Sequence, residues 1–264
     1  MNSGHWLWKA IGSIALMLIL GASMNAQAGL FGFGGTNWQE EVLLHDGRSI
    51  VVERHSSRGG RREIGHGTPI MEQSVSFTVP GSNRPIVWKT EYSQDVGRAN
   101  LELLAVHILN GTAYIVAQPN LCLAYNKWGR PNPPYVFFKH DGRNWQRISL
   151  GELPIEFKEL NVSIVIDDPD LFDAIDHYKV IPAKVIKELN RGVTGPQFKS
   201  ILREPLIIKD PRWCPEMIRT GDGWLGVGWF KDQPSYEACA NYCIKEKVLA
   251  EVCPCDRFFH KEGK

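Results

Sequence analysis

The hydrophobic rhythm of the chain changes along its length. From Ala10 to Met24 the residues are almost uninterruptedly apolar, and from Trp38 to about Ile166 short runs rich in Val, Ile, Phe, Tyr and Trp are broken by turn signals. After Ile166 the apolar positions fall at helical spacing. The middle stretch predicts antiparallel strands, with turns at Asp46-Gly47, Pro80-Gly81-Ser82-Asn83, Asn110-Gly111 and Asp141-Gly142. Asp-Gly and Asn-Gly suit two-residue hairpin loops because both central residues need positive φ, which Gly, Asn and Asp tolerate best.

This chemistry settles how a repeated tetrapeptide is read. His-Asp-Gly-Arg occurs at residues 45–48 and 140–143. With Asp and Gly at the centre of the turn, His45 and Arg48, or His140 and Arg143, become flanking positions. A catalytic His–Asp pair would instead need its carboxylate aimed at the imidazole, with a nucleophile beside it. A looser third copy, Asp95-Val96-Gly97-Arg98, sets the copies forty-nine and forty-six residues apart. Propeller blades have that length, so a small β-propeller is the alternative architecture.

Beyond Ile166, Asp168-Pro169-Asp170 supplies an N-cap, a proline at the first helical position and an acid in the first turn. The segment "AKVIKELNRG" predicts a second helix, with Val185, Ile186 and Leu189 on one stripe. A third, short one is expected in "PQFKSILREPL", ended by Pro205. The fold class is therefore α+β. A β-rich hairpin domain spans 38–208, its helices following Asp168, and a small disulfide-stapled subdomain spans 209–264.

The cysteines define that subdomain. Ser235 or Pro234 begins a helix on which Cys239 and Cys243 lie one turn apart, about 6 Å along its axis. Cys253 and Cys255 flank a proline; in an extended segment they point the same way, about 6.6 Å apart. The two pairs match as rungs. Because the connecting chain must reverse, Cys239–Cys255 with Cys243–Cys253 is the favoured pairing, leaving Cys122 for Cys214. A four-cysteine zinc site is the competing use of the same residues, and the reading taken is disulfides and no metal.

The ends and the charge narrow the class. His5 and Lys9 precede the apolar run, and Ala26-Gln27-Ala28 offers small residues where a signal peptidase reads, so residues 1–28 are expected to be a cleaved signal peptide. The run is shorter than the roughly 20 residues a membrane span needs, and no stable anchor is expected after cleavage. A flexible glycine-rich start, 29–37, would follow. Losing Lys9 takes the formal net charge from +1 to about zero, which leaves no field to hold nucleic acid. The protein is expected in the periplasm or outside the cell, where disulfides persist.

Motifs for catalysis are missing: there is no Gly-x-Ser-x-Gly elbow, no His-Glu-x-x-His, no phosphate-binding loop and no Cys-x-x-Cys. No cofactor is expected. The acidic cluster Asp167, Asp168, Asp170, Asp173 and Asp176 lacks the glycine turn and terminal Glu of a calcium loop. Two segments are candidates for contact with a partner. "RHSSRGGRREIGHG" places Arg54, Arg58, Arg61 and Arg62 in an expected exposed connector, and "TGDGWLGVGWFKD" sets Trp224 and Trp229 in an expected glycine-rich hairpin. The leading reading is a binding protein that recognises or neutralises another envelope or secreted protein. The alternative is an envelope carbohydrate-active hydrolase with an acid pair drawn from Asp167, Asp168 or Glu156.

Two resemblances accompany these readings. "WQEEVLLHDGRSIVVER", "CLAYNKWGRPNPPYVFFKHDGRNWQRI" and "FKSILREPL" look like a group of uncharacterised exported proteins of Gram-negative bacteria, over about residues 38–206. That likeness implies an envelope location and no activity. The run from Tyr236 through Cys239, Cys243, Cys253 and Cys255 resembles, locally, the signature of the epithelial sodium channel family. Its second spacing is longer by one, and it implies a disulfide-stapled helix rather than a channel.

Overall fold

The computed structural model describes residues 35–62, 64–65, 67–207 and 214–259. The expected signal peptide and most of the glycine-rich start lie outside them. The first described strand is β1 (Thr36–Leu43), which starts two residues before the expected domain boundary at 38. Strands β2 (Ser49–Arg58), β3 (Ile70–Thr78) and β4 (Pro85–Lys89) follow, and the four pair antiparallel in sequence order. A small ribbon, β5 (Tyr92–Ser93) with β6 (Arg98–Ala99), leads to the second sheet. That sheet runs β7 (Leu101–Leu109), β8 (Thr112–Pro119), β9 (Val136–His140) and β10 (Trp145–Ile148), again each strand beside the next.

The two sheets share one core. Val42, Val52, Val75, Phe77 and Trp88 from the first pack in a single cluster with Leu103, Val106, Ile108, Ile115 and Val136 from the second. Two meanders facing each other across such a core make a sandwich. A propeller would set its blades radially around a channel, so the alternative architecture is corrected. The first sheet obeys the period of two expected when one face meets water: in β1 Trp38, Glu40 and Val42 are buried while their neighbours are not. In contrast, β7 is apolar at nearly every position because a second cluster covers its other face. Leu104, Ala105 and Val116 there meet Leu153, Phe157 and Ile201.

Turns close the hairpins as expected in kind, with corrections in detail. Leu109 pairs with Thr112 around Asn110 (φ 50°) and Gly111 (φ 75°), a two-residue loop with both centres left-handed. The first His-Asp-Gly-Arg copy instead closes a three-residue loop, His45 to Gly47, because Leu44 N–H reaches the Arg48 carbonyl at 2.7 Å. In the second, Asp141 N–H donates to the Asn144 carbonyl and its carboxylate accepts from Arg143 and Asn144 N–H. The Asp therefore flanks that turn, and Gly142-Arg143 form its centre.

The strand-like reading runs too far. Between β8 and β9 the chain forms helix α1 (Leu121–Lys127), and the strands of the two large sheets end at Ile148. Residues 149–166 cross the sandwich as an irregular strap whose backbone is held by side chains. Asn161 accepts from Val106 N–H and donates to the Leu43 and Val106 carbonyls, and Asn190 bonds Ile164 N–H and the Val162 carbonyl. Buried polar backbone requires such partners wherever no ladder supplies them.

Helix α2 (Pro169–His177) starts as read, with Asp168 accepting from Asp170 N–H at 2.9 Å and Pro169 in its first turn. Helix α3 (Ala183–Leu189) follows, burying Ile186. The third expected helix is corrected to a single 3₁₀ turn, Pro196–Phe198. Tertiary partners take its backbone groups: the Tyr135 hydroxyl faces the Gln197 and Ser200 carbonyls, and Ile201 N–H donates to the Lys158 carbonyl.

The C-terminal region builds a small core of its own. Strands β11 (Met217–Arg219) and β12 (Trp224–Gly226) form a hairpin, followed by α4 (Gly228–Lys231), α5 (Tyr236–Lys245) and α6 (Cys255–Phe258). Ile218, Phe230, Cys239, Cys243 and Cys255 are buried together. The cysteine pairs at disulfide distance are Cys122–Cys214, Cys239–Cys255 and Cys243–Cys253, with Cα separations of 5.2, 5.8 and 6.0 Å. Cys239 and Cys243 share one face of α5, as their spacing requires. Cys253 and Cys255 are not in an extended segment, however: Cys255 already begins α6, and the turn at Pro254 brings the two sulfurs side by side. Among the described residues, no helix is long and apolar enough to cross a membrane.

Candidate functional site

Arg54 is not in an exposed connector. Strand β2 runs through it to Arg58, and because Arg54 faces inward opposite Trp38 it is 2% exposed. Its guanidinium lies 2.6 Å from the Glu40 carboxylate and over the Trp38 ring at 5.1 Å. Glu40 also accepts from Trp38 Nε1, from the Ser163 hydroxyl at 2.6 Å and from Ser163 N–H. The alternation of Trp38, Glu40 and Val42 carries the signal for this burial. An inward register takes whatever side chain falls on it, provided the charges and hydrogen bonds are met.

Arg58 sits at the end of the strand, half-exposed, and binds Asp167 at 2.9 Å and the Thr68 carbonyl at 3.1 Å. Arg61 and Arg62 remain on the surface. The Arg61 backbone is fixed by a hydrogen bond to the Gly97 carbonyl. The four arginines thus do not form one contact patch.

The two tryptophans separate as well. Trp224, on β12, is half-buried and donates from Nε1 to the Asp95 carbonyl at 3.0 Å, docking the C-terminal hairpin on the β5–β6 ribbon. Trp229, the second residue of α4, is 62% exposed, while the next residue, Phe230, is completely buried against Tyr242. The expected single glycine-rich hairpin is interrupted after Val227, the N-cap of α4, so the rings point to different environments.

The acids named for a hydrolase take the following places. Asp168 caps α2, Asp167 pairs with Arg58, and Glu156 lies on the strap. The carboxyl missed by sequence reasoning is Glu102 on β7. It borders a cavity of about 550 Å³ and accepts from Gln118 at 2.7 Å. Burial pushes this carboxyl above its usual range, the Gln118 hydrogen bond opposes the shift, and the charge of Asp167 adds to it.

A larger cleft, about 880 Å³, opens between the β1–β2 loop, the strap and α3. Its two lining histidines share the buried Phe157 ring: His107 stacks on it at 4.4 Å, and His45 meets it edge-on at 5.2 Å. His107 Nε2 lies 3.0 Å from the Glu159 carbonyl. A carbonyl only accepts, so Nε2 carries the proton and Nδ1 is a bare acceptor. Burial holds this imidazole neutral, its pKa pushed down to about 4 against the Glu159 hydrogen bond and with the help of nearby His45. Nδ1 of His107 and Nδ1 of His45 are both buried without a hydrogen-bond partner among the described residues. His45 flanks the first His-Asp-Gly-Arg turn and His107 lies on β7, and only the fold brings them to one ring. No protein-family model, no curated protein and no solved structure matches the chain.

Proposed function

We propose that this chain is an exported binding protein of the bacterial envelope that acts by holding another protein rather than by turning over a substrate. The single observation that supports this most directly is Trp229, a large aromatic ring left 62% exposed on a helix whose adjacent residue anchors a disulfide-bounded core. Exposed aromatics on rigid supports are favoured at interfaces, since they bury much area on binding and lose little conformational freedom. Arg58, Arg61 and Arg62 are the accessible remainder of the arginine segment and add a cationic contact. The envelope address is supported by three disulfides in one chain, by the signal-like N-terminus and by the resemblance over residues 38–206.

The test is crosslinking capture of the tagged chain in the envelope of its source cell, with Trp229→Ala and Arg58/Arg61/Arg62→Ala as controls of unchanged thermal stability. One stoichiometric protein partner, weakened about tenfold or more by Trp229→Ala, is the expected outcome. Capture that is indifferent to both variants overturns the reading.

A second reading, an envelope hydrolase, has Glu102 in its favour, because a carboxyl beside a cavity whose pKa burial raises has the setting of a general acid. Turnover of envelope glycan that disappears in Glu102→Gln with the fold intact would establish it. The absence of turnover would retire it.

A further inference from the structure

We propose that the cleft between the β1–β2 loop, the strap and α3 binds a small anionic ligand that also carries hydroxyl groups, the class to which uronic acids and sugar phosphates belong. Charge is the first ground. Lys158, Lys184, Lys187, Arg191 and Lys199 line the cleft against two acids, Glu156 and Glu159. Arg191 is engaged by Glu188 at 2.8 Å. Lys199 donates to the Arg191 and Val193 carbonyls at 3.1 and 2.8 Å, which holds its ammonium in place without cancelling the charge. Lys158, Lys184 and Lys187 meet no carboxylate in an ion pair among the described residues, so the wall presents an excess of positive charge to whatever enters.

The second ground is the unsatisfied histidine nitrogen. His107 is 1% exposed, its Nε2–H is committed to the Glu159 carbonyl, and its Nδ1 has no partner. A buried acceptor left unpaired is unfavourable, and only an O–H or N–H donor relieves it. Sulfate or fully ionised phosphate offers acceptors alone. A ligand with hydroxyl groups beside its anionic group supplies both halves, and His45 Nδ1, likewise buried without a partner, is a second polar atom that a hydroxyl can satisfy.

Shape and surface are the third ground. Leu44, Ile186 and Phe198 give the cleft an apolar side, which suits the C–H face of a sugar ring. Its volume of about 880 Å³ falls in the range of small-molecule sites, roughly 300 to 1,000 Å³, and far exceeds what a bare ion fills.

The test is titration calorimetry of the purified chain with glucuronic acid and glucose 6-phosphate, using glucose and sulfate as controls and imidazole ¹⁵N spectra as a second readout. Saturable one-to-one binding of both anionic sugars is expected, at least about tenfold tighter than either control and weakening as salt is added. The His107 Nδ1 signal should move while the ring stays neutral. In Lys158→Ser/Lys187→Ser, two exposed changes that leave the core untouched, affinity should fall by about tenfold. The proposal is overturned if neither sugar binds saturably, if sulfate matches them, if glucose matches them, or if the double variant keeps full affinity. Because Trp229 lies outside this cleft, Trp229→Ala should leave sugar binding unchanged, so the outcome is separate from that of the partner-capture experiment.

Discussion

Arg54 and Glu40 form an ion pair sealed inside the sandwich, 2.6 Å apart with side chains 1% and 0% exposed. They stand on adjacent strands at inward positions, where the Trp38 ring covers the guanidinium and Ser163 of the strap completes the carboxylate's hydrogen bonds. This pair therefore ties the first sheet to the chain that crosses it.

Removing one partner leaves the other buried and uncompensated, which typically costs about 3 to 5 kcal/mol. Arg54→Met should lower stability by that order in urea unfolding. Replacing both, Glu40→Gln with Arg54→Met, should recover most of the loss. A single variant as stable as wild type would show that the carboxylate finds enough compensation in Trp38 and Ser163 alone.

His107 makes stability depend on pH in a defined window. Its pKa is about 4 in the fold and about 6.5 in the unfolded chain. Between those values the unfolded state binds more protons, so stability rises with pH. The contribution is fully present above about pH 6.5 and is lost as pH falls toward 4, amounting to about 3 kcal/mol in all. Unfolding free energies measured from pH 4.5 to 7.5 should show this slope in the wild type and a shallower one in His107→Gln. Equal slopes would place the titration elsewhere.

Asp168 serves as the N-cap of α2 through its bond to Asp170 N–H. Asp168→Ala should cost about 1 kcal/mol, and Asp168→Asn much less, since the amide oxygen still accepts. A loss several times larger in thermal unfolding would mean that the side chain has duties beyond the cap.

The Cys122–Cys214 bridge spans 92 residues, whereas Cys243–Cys253 spans 10. Closing a longer loop removes more freedom from the unfolded chain, by about 2 kcal/mol between these two lengths. Cys122→Ser/Cys214→Ser should therefore lower the midpoint of denaturation more than Cys243→Ser/Cys253→Ser. The reverse order would indicate that local packing in the C-terminal core outweighs chain entropy.

Local chemistry was legible in the sequence wherever adjacent residues decide the outcome. Asn110-Gly111 requires a left-handed two-residue turn, Asp168-Pro169 requires a helix start, and a four-residue cysteine spacing requires one helix face. The Asn110-Gly111 hairpin and the nested pairing of the four C-terminal cysteines follow from rules of this short range. Tertiary structure alone decided what depends on a partner far along the chain. Arg54 reads as a solvated charge until Glu40 and Ser163 are placed around it. The helix expected after Gly195 gives way because Tyr135 and Lys158 take its hydrogen bonds. His45, His107 and the lysines of α3 converge on one cleft from three separate segments. Backbone preferences act over a few residues, whereas burial and electrostatic compensation act through space, and the contacts that set them do not exist until the chain has folded.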